Sequence, residues 1–385
     1  MFKKSVIAVA LLAAAAGTAL AQSNLSSGVQ IYGIMDAGVV SATNVGSANS
    51  RITAFNSGVD QTSRLGFRAT EDLGGGLKAG AVLENQVDLG NGSQGLSAGS
   101  GAANAVFSRG ANIFLEHGTY GKITLGRQAN AAWGTYQQFD GRNNSNFGSV
   151  TNIINDGSSF GGTSTAKTGI ASLTGTSWFN NAIRYDTPKW NGVNATYARV
   201  FGNTAGDIDF GKADQYVLRY DNNGSVFGAL GYYSANNSTG VETARTKWYG
   251  AGYRATKDLT LTANLFQMEN PSSTAANTKF DLKSIGARYQ INGKWYANAG
   301  YYMLDDKVTS TNGMKMTSAS LNYDLSKRTS LFFGVSKSTV DGTTGISAWG
   351  NGGGANYDSL GQSANKLGAQ GQDQTAYAVS MRHSF

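Results

Sequence analysis

The residues able to do chemistry are few in this 385-residue chain, and their spacing is poor for catalysis. There are two histidines, His117 in a predicted short turn and His383 on a strand face, and no cysteine. Neither histidine has a metal-ligand partner at useful spacing, so no metal site and no zinc chemistry are expected. Leu73–Lys78 (LGGGLK) has the glycines of a phosphate loop. It lacks the Gly-Lys-Ser/Thr ending and leads into a strand, which makes it a tight turn. No Gly-x-Ser-x-Gly elbow stands between a strand and a helix, so a hydrolase nucleophile is not expected either. Nothing in the chain calls for a cofactor. The 31 Lys and Arg are dispersed rather than striped, which argues against nucleic acid as a partner. What remains is fixed charge: guanidinium groups that stay protonated and can set the electrostatics of a passage.

The elements that position such charges show period-two alternation along the whole chain. Val29, Ile31, Met35, Ala37 and Val39 share one face, and Gln30, Tyr32, Asp36 and Gly38 the other. Leu65, Phe67 and Ala69 oppose Arg64, Arg68 and Thr70; Leu77, Ala79, Ala81 and Leu83 oppose Lys78, Glu84 and Gln86. Alternation of this kind, with few helical windows, predicts an all-β chain. Short turns (Asp72–Gly76, His117–Gly121, Asp221–Gly224, Asn292–Lys294, Leu325–Arg328) alternate with longer polar stretches (41–62, 88–104, 128–178, 339–374). We count sixteen strands, beginning near residues 29, 63, 77, 105, 122, 180, 193, 213, 226, 247, 259, 280, 295, 314, 330 and 375.

Composition agrees. Only 14% of residues are charged, against roughly 25% in an average soluble domain. There are 52 Gly, 2 Pro and 11% aromatics, which excludes both collagen-like and disordered chains. Met1–Ala21 reads as a cleaved signal peptide: Lys3 and Lys4, an apolar stretch from Val6 to Ala16, and small residues Ala19 and Ala21 at the cleavage site. Cleavage leaves 22–385 as one domain and lowers the formal net charge from +7 to +5. Export without a helical span, together with alternating strands, predicts a transmembrane antiparallel β-barrel, because only helices and closed barrels satisfy the backbone in lipid. Its short turns should face the periplasm and its long loops the exterior. Aromatics near strand ends, Tyr232-Tyr233, Trp248-Tyr249, Trp295-Tyr296, Tyr301-Tyr302, Phe332-Phe333 and Tyr377, are expected to form the interfacial girdles.

Six segments in order make the chain resemble the general porins of Gram-negative outer membranes, most closely the betaproteobacterial type. They are Val29–Gly38, Ser63–Ala79, Leu125–Gln128, Ala182–Pro188, Tyr323–Thr329 and Arg382–Phe385. The resemblance implies a trimeric diffusion channel for ions and small hydrophilic solutes, set among outer-membrane lipid and lipopolysaccharide. It also implies a third loop, about 128–178, folded into the lumen, and a terminal Phe385 read by the barrel-assembly machinery. Three arginines match the family's basic wall: Arg64 and Arg184, which alternation also turns inward, and Arg127. Arg127 shares parity with Leu125, so alternation alone would send it to lipid; only the resemblance, and the break of the strand into a loop, place it in the wall. Glu84 and Asp140 would form the acidic side of the constriction. Three arginines against two acids predict a mild anion preference. Two alternatives stay open: a substrate-specific channel with a solute track of Trp133, Tyr136, Phe139 and Phe147, and a barrel acting mainly as an adhesin or anchor.

Overall fold

A strand with one apolar face can enter lipid only when every backbone N–H and C=O along it has a partner. The computed structural model describes residues 27–45, 49–94, 105–143, 145–156, 173–175, 177–274, 278–341 and 371–385. Ala19 and Ala21 lie outside the described residues. The strands are β1 (Gly28–Val45), β2 (Ser50–Ser57), β3 (Arg64–Gly74), β4 (Leu77–Gln86), β5 (Gly110–His117) and β6 (Gly121–Ala129). They continue as β7 (Trp178–Asp186), β8 (Val193–Val200), β9 (Ala213–Asp221), β10 (Val226–Asn236), β11 (Glu242–Arg254) and β12 (Leu259–Glu269). The last five are β13 (Lys279–Gln290), β14 (Trp295–Asp306), β15 (Gly313–Asp324), β16 (Thr329–Asp341) and β17 (Gln374–Ser384). All pair antiparallel in one sheet, and β1 pairs with β17, so the sheet closes and has no free edge. Among the described residues no helix is long and apolar enough to cross a membrane.

The seventeen segments make sixteen staves, because β2 and β3 are successive halves of one. β3 pairs with Gly28–Ile34 of β1, and β2 with Ala37–Val45. Between them Gly58–Ser63 leaves the wall, and Asp36 causes it. Its carboxylate accepts the backbone N–H groups of Asp60 and Gln61, both at 3.2 Å, and its carbonyl accepts those of Gly58 and the Ser63 hydroxyl. The expected loop over 41–62 is therefore mostly strand, with only 46–49 between β1 and β2.

Outward positions carry the aliphatic residues, exposed as a lipid-facing band requires: Val29, Ile31, Ile113, Leu115, Val379 and Met381. At the seam, Phe385 exchanges both backbone hydrogen bonds with Gly33 (3.1 Å each), and its exposed ring lies over that glycine. The core is inside the barrel. Between β6 and β7 the chain forms α1 (Ala131–Tyr136), a 3-10 turn (Gln137–Phe139) and α2 (Val150–Asp156). This third loop packs against the inner faces of β9 to β16 in a cluster that includes Phe139, Ile153, Trp248, Phe266 and Tyr302.

The girdle expectation needs correction. Adjacent residues on a strand face opposite ways. Of the aromatic pairs, Tyr249 and Phe333 face outward, whereas Tyr233, Trp248, Tyr302 and Phe332 are buried inside.

Candidate functional site

Loop three divides the lumen wall. On one side it is fastened to the barrel. Asn130 caps α1, accepting the N–H groups of Ala132 and Trp133 (3.0 and 3.1 Å). Asn264 on β12 donates to the carbonyls of Tyr136 and Phe139. Gly141 crosses β13 and β14 so closely that a Cβ at Gly286 would lie 2.4 Å from the Gly141 Cα. Arg142 is fully buried and donates to the Asn298 carbonyl (3.3 Å) and Ser320 Oγ (2.5 Å). The turn end of the loop reaches across to the inward segment of the first stave. There the Asn146 amide N–H donates to the Asp60 carbonyl (2.7 Å) and its side chain to Gly58 and Thr62.

Asp140 belongs to this fastening. It has no exposed surface, and its carboxylate accepts the Tyr302 hydroxyl (2.5 Å), the Val150 N–H (2.9 Å) and the Arg142 N–H (3.0 Å). Burial pushes its carboxyl above the ordinary carboxylate range, while those hydrogen bonds and the nearby Arg142 pull the other way. It pins the loop and does not line an opening. The aromatic residues of the loop are likewise committed. Tyr136 lies edge-on to Phe266 at 5.2 Å, Phe139 packs on Phe227 at 5.3 Å, and Phe147 on Phe332 at 5.9 Å. These three rings are buried, so they cannot form the solute track, and Trp133 is left as its one half-exposed member. Each such pair contributes about 1 kcal/mol beyond its burial.

The other side of the lumen, β3 to β6, carries the charges. Arg64, Glu84 and Arg127 meet there, as does Arg109, which immediately precedes β5. Arg109 Nε donates to Glu84 Oε1 at 2.7 Å, and the Tyr32 hydroxyl donates to Glu84 Oε2 at 3.0 Å. The Arg109 guanidinium also stacks 4.5 Å from the Trp178 ring. Arg64 donates to the Gln61 side chain at 3.4 Å, and no carboxylate lies within ion-pair distance of it among the described residues. Arg127 donates through Nε and a terminal nitrogen to the Ser108 carbonyl (2.8 and 2.5 Å) and through the other to Asn180.

Arg127 faces inward for a local reason. The β6–β7 register slips between Gly126 and Gln128, and Gly126 has φ +113°, a conformation that L residues with a side chain avoid. The bulge reverses parity after Leu125, so Arg127 and Gln128 are both buried. Arg184 is not at this level. It lies opposite Thr124, near the turn end, and pairs with Asp186 at 2.7 Å. Two residues escaped the sequence reading. Arg109 precedes its strand and follows no parity. Arg382 shares the inward parity of Ala376, Ala378 and Ser380, a signal that was available; it pairs with Asp60 at 2.9 Å, within electrostatic range of Arg64.

A closed barrel with an apolar outer face and an inward loop beside a charged inner wall is a membrane-spanning diffusion channel. The chain belongs to the Gram-negative porin family, whose sequence pattern matches residues 8–343. It is 30% identical over 399 residues to outer membrane porin protein 32 of Delftia acidovorans, with both chains covered in full. An outer membrane porin protein of Bordetella pertussis is 30% identical over 384 residues, covering 86% of this chain and 92% of that one. Among solved structures, the anion-selective porin from Comamonas acidovorans superposes with a TM-score of 0.73 at 23% identity, over 93% of this chain and all of the other. A trimer form of an outer membrane protein of Vibrio cholerae shares the fold, with a TM-score of 0.60 at 12% identity over 94% of this chain and all of that one.

Proposed function

We propose that this porin passes small hydrophilic solutes and ions by passive diffusion with a mild preference for anions, and that it is not an enzyme. The observation that carries this reading is the charge cluster on β3 to β6: Arg64, Arg109 and Arg127 meet Glu84, Arg382 beside them is matched by Asp60, and Asp140 is withdrawn under the loop. Three guanidiniums beside a narrow passage lower the entry barrier for anions and raise it for cations. Loop three narrows the passage by thickening the opposite wall, so Arg64 and Arg127 form the basic side of the constriction and Glu84 its acidic member. Arg184 acts nearer the turn end.

The same reading includes cleavage after Ala21, within the small-residue site of Ala19 and Ala21, and assembly of residues 22–385 as a homotrimer. Short turns then face the periplasm and loops the exterior, among outer-membrane lipid and lipopolysaccharide. Phe385, exposed at the seam strand, suits capture by the barrel-assembly machinery. The test is the zero-current potential of single channels in a potassium chloride gradient. A potential of the sign set by chloride is expected; a clear cation preference contradicts the reading.

A further inference from the structure

A short motif recurs where alternate strands reach the turn end of the barrel. Arg184-Tyr185-Asp186 ends β7 and Arg219-Tyr220-Asp221 ends β9, while Arg288-Tyr289-Gln290 ends β13 and Tyr253-Arg254 ends β11. Alternation gives the motif two faces. The tyrosines point outward and are exposed, as an interfacial girdle needs, and the arginines and aspartates point into the lumen.

The inward groups form two neighbouring sets. Arg184 donates to Asp186, the Thr196 hydroxyl donates to the same carboxylate at 2.6 Å, and Arg219 donates to that hydroxyl at 2.8 Å. Asp221 pairs with Arg254 at 2.7 Å, and Arg254 lies within electrostatic range of Arg288. Arg184 and Arg254 thus each pair directly with a carboxylate, whereas Arg219 and Arg288 feel Asp186 and Asp140 only at longer range. Arg219 donates to Thr135 Oγ1, Thr196 Oγ1 and the Ala131 carbonyl; Arg288 donates to Asn143 Oδ1 and the Gln138 carbonyl. All five acceptors are neutral. A guanidinium carries five N–H donors, so both groups keep N–H groups beyond those contacts.

We propose that Arg184, Arg219, Arg254 and Arg288 form a basic collar below the constriction, and that Arg219 and Arg288 make it a binding station for small oxyanions of the phosphate class. The fork of a guanidinium matches two oxygens of such an anion, and two cations without a hydrogen-bonded carboxylate supply the charge. The proposal rests on the anion-preferring reading of the channel but places a second element on different residues. It gives anions a site at the turn side before they reach Arg64 and Arg127.

The test uses the full chain reconstituted with known orientation in a planar bilayer. It reads the chloride-to-potassium permeability ratio and the block of chloride current by inorganic phosphate added to either side. Block from the turn side at lower phosphate than from the loop side is expected in the unaltered channel, and equal or absent block there overturns the collar without any variant. In R219Q/R288Q the turn-side block should vanish and the permeability ratio fall about twofold, whereas R219K/R288K should keep the ratio and show the block only at higher phosphate. R64Q/R127Q should lower the ratio and leave the turn-side block intact. If the permeability ratio of R219K/R288K falls as far as that of R219Q/R288Q although the charge is kept, the arginines only hold the loop and the station does not exist. If the unaltered channel prefers cations yet shows turn-side block, the constriction reading fails while the collar stands. Heat-dependent gel mobility confirms folding of each variant.

Discussion

The two halves of the lumen wall are built from the same alternating strands yet end differently. At mid-height on β9 to β16 the inward residues are mostly aromatic, aliphatic and small polar, with arginines only towards the turn end, and loop three packs on them until Phe266, Phe280, Tyr302 and Ser336 have almost no exposure. On β3 to β6 the inward face holds Arg64, Glu84 and Arg127, with Arg109 beside them, and it is held by hydrogen bonds and ion pairs instead of by loop three's aromatic packing. On the proposed reading, ions at the height of the constriction pass along β3 to β6. The difference is, on that same reading, how a chain of low charge makes an electrostatic filter: many inward positions anchor an obstacle, and a few guanidiniums act on what passes beside it.

Predictions that break or sharpen this contrast begin with the fastening. D140A removes the acceptor for the Tyr302 hydroxyl and for two backbone N–H groups in a buried site, which should weaken loop docking by about 3 kcal/mol. Single-channel conductance should rise and become noisy; unchanged conductance would remove Asp140 from the fastening.

A matched glycine pair comes next. G286A drives a methyl group into the crossing loop backbone, whereas at Gly110 on the bare wall the nearest atom to a new Cβ is 3.6 Å away. The first should lower the melting temperature of the folded channel by several degrees, for a cost of about 1–3 kcal/mol, and the second should leave it within about one degree. Equal effects would mean that the loop backbone does not press on Gly286.

The smallest effect concerns pH. Burial raises the Asp140 carboxyl, so the docked loop holds that proton more tightly than a free loop does. Docking therefore gains as pH falls through the docked value and weakens as pH rises. Conductance recorded from pH 7 down to about 4, across the ordinary carboxylate range, should show no loosening step. An acid-induced rise would reverse the sign.

Much of this was legible in the residues. Parity alone turned Arg64 and Glu84 inward, because Leu65 and Leu83 must face lipid. The even stave count followed from alternating turns and loops. Parity failed at Arg127, where the Gly126 bulge resets it, a local backbone event that side-chain alternation cannot register. It was not applied to Trp248-Tyr249 or Phe332-Phe333, although no strand can point both members of such a pair outward. Ser50–Ser57 was missed because its stave is broken by the Asp36 contacts, which join residues 24 to 27 positions apart. Asp140 looked like any loop acid, since its burial depends on Tyr302, 162 residues away.

The most direct test of the central claim, that at the constriction ions pass along β3 to β6 and not under loop three along β9 to β16, uses the absence of cysteine in the chain. R64C and S336C place one thiol on each wall, at a buried arginine beside the passage and at a fully buried serine under the loop. A negatively charged, water-soluble thiol reagent added during recording should shift the reversal potential of R64C toward cations and leave S336C unchanged. Modification of S336C with a matching shift, or no response from R64C, would contradict the account.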